Sequence, residues 1–201
     1  MTVTATLSLT DGRHLARLAA DAIHARLTGD RLSAQIPPGS RLLHNGASFV
    51  TLERGGELRG CVGSLEPVRP LHRDVVQNAV RAMHDPRLPP VTADDWPALD
   101  VKVSVLSRPE PIPVDGRAKL VAELRPGVDG LILLDGVRRS TFLPSVWAKA
   151  ADPEQFLAAL LRKGGWPAGD SAAGDLPPGL TAMRYTSTEF RDDAPREPIP
   201  A

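Results

Sequence analysis

The pair Gly55-Gly56 constrains what this chain can fold into more than any other dipeptide in it. It separates two extended runs, Ala47-Ser48-Phe49-Val50-Thr51-Leu52 and Leu58-Arg59-Gly60-Cys61-Val62. A two-residue hairpin turn needs positive φ at both central positions, and glycine adopts that at little cost. A hairpin imposes antiparallel pairing, so α+β fits this segment better than a doubly wound parallel sheet. Counting outward from the turn sets Cys61 opposite Val50 and Arg59 opposite Leu52. Side chains alternate along a strand, so Arg59 and Cys61 are expected on one face, a guanidinium two residues from a thiol.

The remaining segments alternate between helical and extended patterns. Residues 9–28 carry Leu15, Leu18, Ala19, Ala22, Ile23 and Leu27 on one helical stripe, with Thr10 as the expected N-cap and Gly29 at C′. His14 and His24 fall off that stripe and read as solvated. A second helix is expected over 70–83, with Leu71, Val75, Ala79 and Ala82 inward and Pro70 at N1. Asp85-Pro86-Arg87-Leu88-Pro89-Pro90 ends it, because residues before proline avoid the helical region. Thr92-Ala93-Asp94-Asp95 resembles a short capped turn. Val101, Val103 and Val105 alternate with Lys102 and Ser104, which predicts a half-buried strand with one wet or site-facing side. Further on come a short helix near 117–124, a strand at 130–134 and its return at 139–143 beyond Asp135-Gly136. Asp152-Pro153 opens another helix, Gly164-Gly165 stops it, and a Gly/Pro/Ala-rich loop leads to a last strand at 180–186. Residues 191–201 read as a frayed tail.

Composition bounds the function. Lys and Arg number 24, as do Asp and Glu, so nothing favours nucleic acid or an anionic membrane surface. No apolar run approaches the roughly 20 residues of a bilayer span, and Met1–Thr6 has no signal-peptide pattern. A single cysteine excludes an intramolecular disulfide and fits a reducing, cytoplasmic setting. One Cys and five scattered His show no metal-ligand spacing, so no metal is expected, and no phosphate-binding loop is present.

Chemistry concentrates around Cys61. The plain reading is a small buried hydrophobe; the sharper one is a thiolate activated by Arg59, with His72 or His84 as base. Arg59 either pairs with a carboxylate such as Asp85 or joins Arg87 in binding an anionic group. Gly60 and Gly63 fit both close ligand approach and tight packing. Lys163 sits at a helix C-terminus, where a cation is favoured on structural grounds.

Leu58-Arg59-Gly60-Cys61-Val62-Gly63 resembles the LRGCIG signature of the AMMECR domain family. Four further segments agree in order: Phe49-Val50-Thr51-Leu52, Ala79 with Asp85–Pro90, Val101–Leu106, and Gly130-Leu131-Ile132 with Phe142-Leu143-Pro144 and Lys163-Gly164-Gly165. Val62, Leu88, Gly164 and Trp166 depart mildly from the family pattern. The resemblance implies an α+β fold over residues 1–190, with a mainly antiparallel sheet flanked by helices and a smaller second lobe. It also implies membership of the AmmeMemoRadiSam system, beside a Memo-like protein and a radical SAM enzyme. It leaves the activity and any cofactor open. The expected site is Arg59 and Cys61 as catalytic pair with Gly60, Gly63, Asp85 and Arg87 lining a pocket; the alternative is a non-enzymatic module for an anionic small molecule, a peptide or a partner protein.

Overall fold

The computed structural model describes residues 7–150, 152–166 and 176–200. In chain order its elements are α1 (Leu9–Thr28), β1 (Asn45–Gly46), β2 (Ser48–Arg54), β3 (Glu57–Gly63), β4 (Arg69–Pro70), α2 (Leu71–Ala82), β5 (Leu99–Leu106), β6 (Glu110–Ile112), α3 (Arg117–Glu123), β7 (Gly130–Leu134), β8 (Arg139–Phe142), α4 (Pro153–Lys163), β9 (Thr181–Tyr185) and β10 (Ser187–Asp192). Mixed helices and antiparallel sheets make this an α+β fold. The chain divides into two units, one holding the residues up to Leu106 and from Thr188 onward, the other Ser107–Ser187.

In the first unit the sheet order is β10-β5-β2-β3, and β2 pairs antiparallel with both β3 and β5. Val50, Leu52, Val101 and Val103 are fully buried and form one core with Leu15, Ala19 and Ile23 of α1 and Leu71, Val75 and Ala79 of α2. Both helices therefore cover one face of the sheet, as their apolar stripes require. α1 has the expected bounds but not the expected cap: Ser8, in extended conformation, accepts the Asp11 N–H, and Thr10 lies inside the first turn. Gly29 ends it at φ 79°. Pro70 precedes α2 as its N-cap rather than opening it as N1.

The hairpin turn is as expected, with Gly55 and Gly56 at φ 58° and 83° and Arg54 opposite Glu57. The register beyond it is not. Glu53 pairs with Leu58, but Leu52 pairs with Gly60, so Arg59 is an extra residue in β3. From there Cys61 faces Thr51 instead of Val50, and Arg59 has no partner opposite Leu52.

The expected frayed tail is also corrected. β10 runs to Asp192, and Phe190 belongs to the core. Beyond it the Ala194 N–H donates to Asp100 Oδ1, the Arg196 N–H donates to the Pro97 carbonyl, and the Arg196 guanidinium lies 4.8 Å from the Trp96 ring.

The second unit has sheet order β6-β9-β7-β8 with α3 and α4. Leu120, Leu131, Leu133, Phe156, Leu157 and Leu160 form its core, where Trp147 stacks on Phe156 at 3.8 Å. Asp152 caps α4 by accepting the Gln155 N–H. Lys163 reaches from the end of α4 to the Thr141 carbonyl at 2.8 Å. The strand expected at 180–186 is β9, and the chain then continues into β10, which enters the other sheet. The Gly/Pro/Ala-rich stretch before β9 and the N-terminal Met1–Thr6 fall wholly or mostly outside the described residues. Among the described residues no helix is long and apolar enough to cross a membrane.

Candidate functional site

β3 is an edge strand held from four directions, and those ties decide what each signature residue does. At its start, Arg59 Nη2 donates to Asp95 Oδ2 at 3.0 Å, and Arg54 Nη1 donates to Asp95 Oδ1 at 3.0 Å. Asp95 sits in the turn before β5, and its side chain is 4% exposed. The Thr92 N–H and the Thr92 hydroxyl also donate to it. Burial alone would raise its pKa, but the Thr92 amide and the two guanidiniums outweigh that and hold it below the usual carboxylate range. Two guanidiniums on one sequestered carboxylate fix the extra residue of β3; Arg59 Nη2 is thereby paired, while its buried Nε has no hydrogen-bond partner among the described residues.

In the middle of β3 the Cys61 N–H donates to Asp85 Oδ2 at 3.0 Å. Asp85 follows α2, is 3% exposed, and also accepts from the Arg87 N–H and from Arg87 Nε at 2.8 Å. The Arg87 hydrogen bond, helped by the Cys61 and Arg87 amides and opposed by burial, holds the Asp85 carboxyl well below its ordinary range. The same hydrogen bond raises the Arg87 pKa. Arg87 Nη2 closes the loop on the Cys61 carbonyl at 3.2 Å. Asp85 and Arg87 thus grip the backbone on both sides of Cys61. Asp85 was a candidate partner for Arg59; its partner is Arg87, and Asp95 takes Arg59.

Gly60 sits where α2 ends. A Cβ on Gly60 would lie 2.0 Å from the Ala82 carbonyl oxygen, and one on Gly63 would lie 2.2 Å from the Phe49 ring. The space beside each glycine is occupied by the protein itself. Beyond Gly63, the Ser64 hydroxyl donates to Asp74, a fully buried carboxylate that also accepts from the Ser48 N–H and hydroxyl and from Asn78 Nδ2.

The thiol looks the other way. Residues directly opposite across antiparallel strands point to the same face. Cys61 is opposite Thr51, and Thr51 is opposite Lys102. Cys61, Thr51 and Lys102 therefore form one row across β3, β2 and β5, on the sheet face away from α1 and α2. Thr51 Oγ1 lies 3.3 Å from Cys61 Sγ, and Lys102 Nζ pairs with Glu53 on the same face. Cys61, Thr51, Glu53 and Lys102 are all half-buried. Neither proposed base is brought to the thiol: His72 Nδ1 lies 2.9 Å from the Leu42 carbonyl oxygen, and His84 is exposed beyond α2. Among the described residues no group of three His, Cys, Asp or Glu is placed to hold a metal ion.

Sequence reasoning named Arg59, Cys61, Asp85 and Arg87 but gave no role to Asp95, Thr51 or Glu53. Asp95 carried a signal in the Thr92-x-x-Asp95 spacing, which read as a capped turn without its strand partners. Lys102 carried its signal in the alternation with Val101 and Val103, which set it on the wet or site-facing side of that strand.

The AMMECR1 family model matches residues 16–190. A protein of Methanothermobacter thermautotrophicus is 41% identical over 168 residues, covering 81% of this chain and 86% of that one. Protein MK0488 of Methanopyrus kandleri is 35% identical, covering 80% of each. The crystal structure of uncharacterized protein PH0010 from Pyrococcus horikoshii superposes with a TM-score of 0.81 at 33% identity, covering 94% of this chain and 95% of that one. These likenesses reach across both units, and the chain belongs to the AMMECR1 family.

Proposed function

We propose that this chain is a cytoplasmic binding component of a system of the AmmeMemoRadiSam type, working with a Memo-like protein and a radical SAM enzyme. Its ligand site is the Cys61–Thr51–Lys102 row beside the Leu58–Gly63 strand. That row carries the reading: a thiol, a hydroxyl and an ammonium lie side by side and half-buried on the sheet face away from the helices. A small molecule or peptide with an anionic group would meet Lys102 in place of Glu53 and lie against Cys61 and Thr51. Arg59, Gly60, Gly63, Asp85 and Arg87 serve this site by fixing the strand that presents Cys61. A nucleophilic enzyme is the second reading, motivated by the half-buried thiol. It is the weaker one, because the group at Sγ is a hydroxyl, which is too poor a base to deprotonate a thiol.

The test is alkylation of Cys61 by iodoacetamide, followed by intact mass. Inorganic phosphate or citrate should slow the reaction in the parent protein and not in Lys102→Met. Alkylation indifferent to both anions would remove the anionic-ligand reading. A rate profile with its midpoint below about pH 7, against about 8.5 for a free thiol, would mark an activated thiolate and favour the enzyme.

A further inference from the structure

The outer side of α2 carries a groove of 510 Å³ that lies apart from the signature strand. Val76 and Val80, one turn apart, make its floor, and Leu32 and Ala34 from the segment after α1 make one wall. Arg73, Gln77 and Arg81 line it too. These three stand at i, i+4 and i+8, so they form a single ridge along the helix, next to the Val76–Val80 row. The groove is therefore apolar along its length and cationic along one edge. Arg73 and Arg81 are both exposed, and among the described residues no carboxylate pairs with either. Among the described residues no acidic one lines the groove, although the whole chain is electrically neutral.

We propose that this groove docks an acidic amphipathic helix of a partner protein. A helix laid along α2 would set apolar side chains at i, i+3, i+4 and i+7 on Val76, Val80 and Leu32, the usual helix-in-groove arrangement. The two guanidiniums are eight residues apart, about 12 Å along the axis. Two carboxylates seven or eight residues apart on one edge of the incoming helix match that distance. Each would form a charge-assisted, forked pair that an exposed arginine is shaped to make. A basic or purely apolar helix would leave both arginines unmatched.

The test uses the full chain and a fluorescein-labelled synthetic peptide of about 14 residues, long enough for four helical turns. The peptide carries a leucine stripe and two glutamates at i and i+7 on one edge. Fluorescence anisotropy should show saturable binding that weakens at least about tenfold in Arg73→Glu/Arg81→Glu and falls with added salt. The same peptide with lysines for the glutamates should bind the double variant better than it binds the parent. Both arginines are exposed, so melting curves should show the variants folded. Binding absent up to about 1 mM, or equal for the acidic and basic peptides, overturns the proposal. So does a concentration-dependent dimer that Val80→Lys abolishes, which would give the groove to a second copy. Dodecanoate binding lost in Arg81→Glu, with no peptide binding, would give it to a lipid-like amphiphile and overturn the proposal as well.

Discussion

Gly60→Ala tests the claim that β3 is pressed against the end of α2. The added Cβ would sit 2.0 Å from the Ala82 carbonyl oxygen and 2.9 Å from the Ala82 carbonyl carbon, whereas ordinary contact begins at 3.4 Å. The strand and the helix end must therefore separate by about 1.4 Å. The obstacle is backbone, so no side-chain rotation relieves it. β3 is an edge strand and has room to move outward, but outward movement pulls the Cys61 N–H from Asp85 and Arg59 from Asp95. Overpacking of this kind is expected to cost about 2–3 kcal/mol. For a chain of this length that corresponds to a melting temperature lowered by about 4–12 °C. Gly63→Ala is the internal control, because its obstacle is a side chain, the half-buried Phe49, which must change its χ1 rotamer but need not shift the backbone. It should cost about 1 kcal/mol. Thermal unfolding followed by circular dichroism, with urea midpoints beside it, measures both. If Gly60→Ala melts within a degree or so of the parent, or loses less than Gly63→Ala, the packing account of Gly60 is wrong and ligand approach regains its claim on that glycine.

Asp85→Asn should flatten the acid limb of stability. The folded-state pKa of Asp85 is depressed, so its contribution is present above the unfolded value near 3.9 and is lost as pH falls through the folded one. Urea midpoints between about pH 2 and 6 should therefore fall more steeply in the parent than in the variant; parallel curves would refute the assignment. Asp95→Ala leaves two guanidiniums facing a buried vacancy and should cost about 1–3 kcal/mol, discounted because Arg54 and Arg59 keep partial solvent contact. A double-mutant cycle with Arg59→Ala should show coupling, and strict additivity would deny the pair. Arg196→Ala removes the Trp96 contact and the bonds to Leu99 and Asp192, and should cost about 1–2 kcal/mol. An unchanged melting curve would restore the frayed tail.

The elements were legible because they rest on local signals. The α1 stripe, the Gly55-Gly56 turn and the Asp152-Pro153 helix start each depend on residues within a few positions of one another. What escaped depends on partners far along the chain. Arg59 meets Asp95, 36 residues on, and Arg196 meets Leu99, 97 residues back. No pattern within 186–192 announces that Ser187–Asp192 leaves the β9 sheet for another. Ser8 outcompeted Thr10 as cap because its backbone is extended while Thr10 is already helical, a difference of conformation that composition does not carry.

The bulge at Arg59 shows how one residue redirects a functional argument. Counting from the turn placed Arg59 and Cys61 on one face, and from that pairing came an arginine-activated thiolate. A strand's side-chain period is two, so one extra residue shifts every later pairing by one. After the shift Cys61 lies opposite Thr51 and in line with Lys102, and Arg59 is free of the ladder to reach Asp95. The thiol's side of the sheet carries the Lys102–Glu53 ion pair, its ammonium two strands away, while the Arg87 guanidinium donates to the Cys61 carbonyl. Deleting Arg59 removes the extra residue but leaves Gly60 opposite Leu52 and Cys61 opposite Thr51, on the face away from α1 and α2. The variant should therefore keep the iodoacetamide reactivity of Cys61 if it folds, although the Asp95 tie is gone. If it folds and the thiol becomes unreactive, the pairing with Thr51 does not set the direction of Cys61, and the cross-strand row loses its basis.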